Sequence, residues 1–150
     1  MKLRFAAVLL LPCGLAHAEP RITQNDFGGT GLLQTPTARM APAGELSVNA
    51  NRTEPYSRYS VSLQPLDWLE GSFRYTAITN RPYGSEALSG SQSYKDKAVD
   101  VKVRLWQESH WLPDVALGFR DIGGTGLFSS EFFVANKRYD NFDFSAGIAW

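Results

Sequence analysis

Cysteine is almost missing from this chain: of 150 residues only Cys13 carries a thiol, and it lies in an N-terminal stretch patterned like an export leader. Once that stretch is removed, neither a disulfide nor a thiolate metal site is available. Histidine is nearly as scarce, with His17 in the same leader and His110 in a turn between two tryptophan-bearing strand ends. A lone histidine without cysteine or a carboxylate pair reads as an interfacial side chain, so no catalytic residue, metal or cofactor is expected. An excess of one charge is absent too: 15 basic and 15 acidic residues cancel, and no basic run is longer than Lys137-Arg138. A nucleic-acid partner is therefore not expected. Past the leader there is no long apolar run and no 3.6-residue apolar period, so helices should be few.

The leader itself is well formed. Lys2 and Arg4 make a positive start, Phe5 to Leu11 an apolar stretch too short to span a bilayer, and Ala16-His17-Ala18 a small-x-small site, so cleavage after Ala18 is expected. Cys13 invites a lipoprotein reading, with acylation of its sulfur, but Leu10-Leu11-Pro12 stands where a small residue should directly precede it. Residues 1–18 are thus read as a signal peptide for export, and residues 19–43 as a lead-in whose first part, Glu19 to Asn25, is unpaired.

From residue 44 the periodicity is that of strands. In Lys97 to Trp106, Val99, Val101, Val103 and Leu105 share one face, while Asp100, Lys102 and Arg104 share the other. Asn141 to Trp150 repeats this, with Phe142, Phe144, Ala146, Ile148 and Trp150 opposite Asp143 and Ser145. Weaker alternation covers Glu45 to Arg52, Ser57 to Gln64, Leu69 to Ala77, Pro113 to Arg120 and Leu127 to Tyr139. About seven strands follow, in an antiparallel up-and-down meander. Short turns (Pro65 to Asp67, Glu108 to Leu112, Tyr139 to Asn141) alternate with connections at the other end (Thr53 to Pro55, Ile78 to Asp96, Asp121 to Gly126).

Alternation alone fits two architectures. A soluble sandwich or lipocalin-like barrel turns the apolar face inward; an outer-membrane barrel turns it to lipid around a polar lumen. Three features favour the membrane: strands of about ten residues, the length a tilted strand needs to cross the hydrocarbon; the export leader; and aromatic residues at strand ends. Trp68, Trp106, Trp111 and Tyr139 lie beside the short turns, and Tyr56, Tyr59, Tyr75 and Trp150 toward the longer loops. The fold class expected is all-β, part of an outer-membrane β-barrel in a Gram-negative bacterium, with Asp100, Lys102, Arg104 and Asp143 facing the lumen. Bacterial barrels have an even number of strands from eight upward, so seven would make this the N-terminal part of a longer protein.

One string occurs twice: Asp26 to Leu32 reads DFGGTGL and Asp121 to Leu127 reads DIGGTGL. Neither copy is followed by Lys-Ser/Thr or by a helical pattern, which excludes a phosphate loop; glycines supply tight turns at strand ends. The residues after each copy diverge at once, so it is not an internal repeat. Asp100 and Asp143 could be paired carboxylates for glycoside chemistry, but charges on the polar face are routine in a water-lined barrel. The Ser/Gly-rich loop Ile78 to Asp96, with Tyr83 and Tyr94, suits an external loop that could touch carbohydrate.

The string GGTGLLQTPTAR (Gly28 to Arg39), followed by Gly44 and a first strand, resembles the start of the YjbH family of exopolysaccharide-associated proteins. The stretches SLQPLDWLEGSFRYT and SYKDKAVDVKVRLW are similar too. The resemblance covers nearly all of the chain after the leader, and the N-terminal portion of a family member. It implies an outer-membrane β-barrel, often described as a lipoprotein, that assists production or export of exopolysaccharide or capsule without catalytic residues. Its implied partners are outer-membrane lipid, the polymer, and other proteins of a polysaccharide secretion system. The competing expectation is a periplasmic protein that binds or modifies carbohydrate and buries its apolar faces against each other.

Overall fold

A computed structural model describes residues 22–150. The leader, the cleavage after Ala18 and Cys13 lie outside the described residues.

Period-two sequence produces period-two structure. Seven strands form one antiparallel sheet in chain order: β3 (Leu46–Thr53), β4 (Tyr56–Leu66), β5 (Leu69–Pro82), β6 (Ser93–Trp106), β7 (Asp114–Arg120), β8 (Ser130–Tyr139) and β9 (Phe142–Ala149). Each pairs with the next, and the sheet curls into a half-barrel. Before it, β1 (Gly31–Leu32) and β2 (Thr35–Pro36) make a small hairpin, and the one helix among the described residues is α1 (Glu86–Ser89).

The strand ends differ from expectation at the long loops. β5 runs on to Pro82 and β6 begins at Ser93, because Ile78 to Asp96, rich in turn-forming residues, still pairs at its ends (Ile78↔Tyr94, Pro82↔Ser93). Conversely, β8 starts at Ser130 rather than Leu127, since Phe128 is drawn off the strand to pack against Phe27 and Tyr56. The tight β8–β9 turn is made by Asp140, in the left-handed region at φ 52°, and Asn141.

The two faces of the sheet are opposite in exposure. On β4 the polar Arg58, Ser60, Ser62 and Gln64 are buried, while Tyr59, Val61 and Leu63 between them are exposed. β5 does the same, with Glu70, Ser72, Arg74 and Thr76 buried and Phe73 exposed. Polar residues are covered and apolar ones uncovered, the reverse of a soluble core. The inner face keeps one small apolar patch, Ala116, Phe132 and Val134 with Ala38. Gly118 lies opposite Phe132 in the pairing of β7 and β8, and any Cβ there would collide with the ring.

The lead-in accounts for the inversion. Rather than staying unpaired as far as Asn25, its described part folds back on the inner face. Gln24 bridges to Thr30, and Thr23 exchanges hydrogen bonds with Gly31, so pairing begins within the stretch expected to be free. From Ile22, near Glu45 and Arg39 on the short-turn side, the chain runs to a turn at Phe27 near the long loops and returns to Arg39 before β3 begins.

Candidate functional site: the inner face and its N-terminal segment

The polar residues of the wall bind the backbone of the lead-in. Asn49 and Asn51 of β3 donate to the carbonyls of Asn25 (3.1 Å) and Asp26 (2.9 Å). From β4, Ser62 donates to the Gly28 carbonyl. The Thr30 N–H donates to both carboxylate oxygens of Glu70 on β5, at 3.1 Å each. Lys102 on β6 pairs with Glu70 (3.1 Å) and donates to the carbonyls of Thr30 (3.2 Å) and Arg39 (3.0 Å). From β8, Asn136 accepts the Ala38 N–H at 2.7 Å. Five strands thus hold one segment through main-chain groups, which explains why their inner residues are amides, hydroxyls and charges.

Close approach is what the first GGTG supplies. A Cβ on Gly28, at φ +102°, would sit 2.5 Å from that of Ser60, and one on Gly29 would sit 2.7 Å from Glu70 Oε1. Only glycine lets the backbone come this near in this conformation. The second GGTG is instead the β7–β8 loop, where Asp121 accepts the Phe128 N–H and Thr125 donates to Asp96. The two copies nonetheless meet, because Phe27 of the first packs edge-on to Phe128, which follows the second (centroids 6.3 Å).

Arginines clasp each end of the segment. Near the long loops, Arg58, Arg74 and Arg120 from β4, β5 and β7 stack around Phe27, at 5.0, 4.9 and 4.2 Å from its centroid. Near the short turns, Arg39 reaches three carboxylates at 2.7 Å: Glu108 after β6, Asp114 on β7 and Asp143 on β9. Burial alone would lower the Arg39 guanidinium, yet these acids hold its pKa above that of an ordinary arginine. Burial would likewise raise the Glu108 carboxyl, but the Arg138 N–H, Arg39 and Lys137 hold it below the usual carboxylate range.

Of the polar residues picked out from the strand pattern, Asp143 is brought to Arg39, Lys102 to Glu70 and the lead-in, and Asp100 to Arg74 at 2.5 Å. Arg104 is half-buried on the same face and makes no ion pair among the described residues. The structure does not bring Asp100 and Asp143 together; each has its own arginine. Of the aromatic residues assigned to strand ends, Tyr56 is corrected: it faces inward, with Arg58 at 4.6 Å over its ring, because β4 places residues 56, 58, 60 and 62 on the inner face. Trp68, Trp106, Trp111, Tyr139, Tyr59 and Trp150 are exposed. His110 lies in the β6–β7 turn, edge-on to Trp111. Among the described residues no group of three or more His, Cys, Asp or Glu is placed to hold a metal ion.

The YjbH family profile, described as exopolysaccharide biosynthesis protein YbjH, matches residues 23–150. The chain belongs to the YjbH family. Over 129 residues it is 59% identical to the uncharacterized lipoprotein YjbH of Escherichia coli (strain K12), a match spanning 85% of this chain and 18% of that protein. No solved structure matches it. The YjbH profile takes in both the lead-in from Thr23 and the whole sheet, so the segment and the wall that binds it fall in one family unit.

Sequence reading missed Arg39, Glu70, Asp114 and the three arginines around Phe27 as members of one site. Period two places Glu70 and Arg74 with Ser72 on one face, so their sharing a face could have been found. That Arg39 crosses to Glu108, Asp114 and Asp143 had no local signal, since its partners lie 69 to 104 residues away.

Proposed function

We propose that this chain is part of an outer-membrane β-barrel that serves exopolysaccharide or capsule production or export without itself catalysing a reaction. One observation carries the reading: the sheet exposes its apolar face and buries its polar one. Val48, Val61, Leu63, Phe73, Phe133, Phe144 and Ile148 are exposed on the outer face, an apolar surface suited to lipid. Exposed tryptophans beside the short turns, Trp68, Trp106 and Trp111, suit the headgroup level. The family description supplies the link to exopolysaccharide.

On this reading the short turns face the periplasm and the long β5–β6 loop faces outward. The partners are outer-membrane lipid, the polymer and other secretion proteins. Ile22, where the described residues start, lies on the short-turn side beside Arg39 and Asp143. The relative's name supports acylation; Pro12 before Cys13 supports the cut after Ala18, which we keep.

Fractionation tests the placement. The protein should leave outer membranes only with detergent, and release with the soluble periplasm would favour a periplasmic carbohydrate-binding or carbohydrate-modifying protein instead. Deleting the gene should change the amount or chain length of secreted polymer; an unchanged polymer would end the export reading.

A further inference from the structure

The wall beneath the lead-in is not built like a core. Among the described residues ten buried side-chain atoms have no hydrogen-bond partner, and they gather on this inner face: Nε and Nη1 of Arg58, Nε and Nη2 of Arg74, Ser60 Oγ, Thr76 Oγ1, Gln64 Oε1 and Asn51 Oδ1 among them. Each donor or acceptor that the docked segment leaves unmet within the chain weakens its hold on the wall. Water could satisfy all of them. The bonds that hold the middle of the segment are also mostly to its main chain, and water can replace those as well. Only the ends are specific: Phe27 among three arginines, and Arg39 among three acids.

We propose that residues 22–43 are a displaceable plug, latched by Arg39 to Glu108, Asp114 and Asp143, which fills this arc of the lumen until it is released. The proposal rests on the barrel reading above. Withdrawal exposes a wall carrying Arg58, Arg74, Arg120, Lys102 and Arg104 against Glu70, Asp96, Asp100, Asp114 and Asp143, a balanced and strongly hydrated surface. Such a surface suits a water-rich polymer rather than an apolar solute. Both ends of the segment lie on the short-turn side, so it can leave without crossing the membrane.

The test uses the full-length protein in planar lipid bilayers and in liposomes loaded for permeation of dextran oligomers. Wild type should conduct weakly, and Arg39→Ala should raise conductance and dextran flux several-fold, with Arg39→Lys closer to wild type. A tether, Asp26→Cys with Thr53→Cys, joins a half-buried and an exposed side chain whose oxygens stand 3.4 Å apart. Oxidised, it should return the Arg39→Ala protein to the low level, and reduction should restore the high one. If Arg39→Ala does not fold, the tether alone decides, since oxidation should abolish the rare openings of an otherwise wild-type protein. Conductance that neither Arg39→Ala nor the tether changes would overturn the plug. So would detergent-extracted outer-membrane protein that never conducts in any variant. Recovery from the soluble periplasm would remove the barrel reading, and the plug with it.

Discussion

At the scale of single residues, two kinds of constraint meet in the lead-in. Gly28 is constrained by space and by backbone sign, so Gly28→Ala should destabilise the docked segment by about 1–3 kcal/mol. Limited proteolysis between residues 22 and 43 is the readout, with cutting expected to speed up well before the sheet unfolds. Glu108 is constrained by charge. Its folded pKa lies below the ordinary 4.5 of a glutamate, so its contribution is fully present above that value and is lost as pH falls through the lower, folded one. Arg39 shifts upward and loses its contribution only in strong alkali, which leaves the acid side to the carboxylates. The groups packed there are Arg39, Lys137, Arg138, Glu108, Asp114 and Asp143. Protection of the Arg138 amide against hydrogen exchange should therefore hold at neutral pH and fall only below about pH 4.5. Loss of protection already near pH 6 would contradict the assignment.

At the scale of elements, the strands were legible and the lead-in was not. Val99, Val101, Val103 and Leu105 against Asp100, Lys102 and Arg104 make β6 readable from local alternation, because a strand's side-chain period is a property of its own backbone. Residues 22–43 have no period. Their path is set by wall residues up to about a hundred positions away, such as Asn136 to Ala38, and by an inner face that does not exist until the strands pair. Tyr56 was misplaced for a related reason: an aromatic residue at a strand end suits a membrane interface as well as a cation cage, and only the register of β4 chooses. The two faces should answer differently to charge. Val61→Arg on the exposed face of β4 should impair membrane assembly, at a cost of roughly 2–4 kcal/mol if it lies near the bilayer midplane. Ser145→Lys on the inner face of β9 should assemble normally, as read by detergent-extractable protein. Equal behaviour of the pair would argue against lipid on the apolar side.

At the scale of the whole molecule, the inverted sheet and the export leader make one statement about compartment, whereas the terminus makes a separate one about anchoring. Intact-mass measurement of the mature protein separates the two outcomes at the terminus. A chain beginning at Glu19 is expected; a diacylated or triacylated chain beginning at Cys13 would show that Pro12 is tolerated before a lipid-bearing cysteine. Neither result alters the path of the lead-in from Ile22 on the short-turn side.

That path has a further consequence. Because Arg39 lies only a few residues before β3, the lead-in is a ligand tied to its own receptor, with an effective concentration on the order of millimolar. A free peptide spanning residues 22–43 would thus have to be added at about that concentration to compete, and a polymer could compete only by holding many points of the wall at once. Such a wall would discriminate by chain length before it discriminated by sugar.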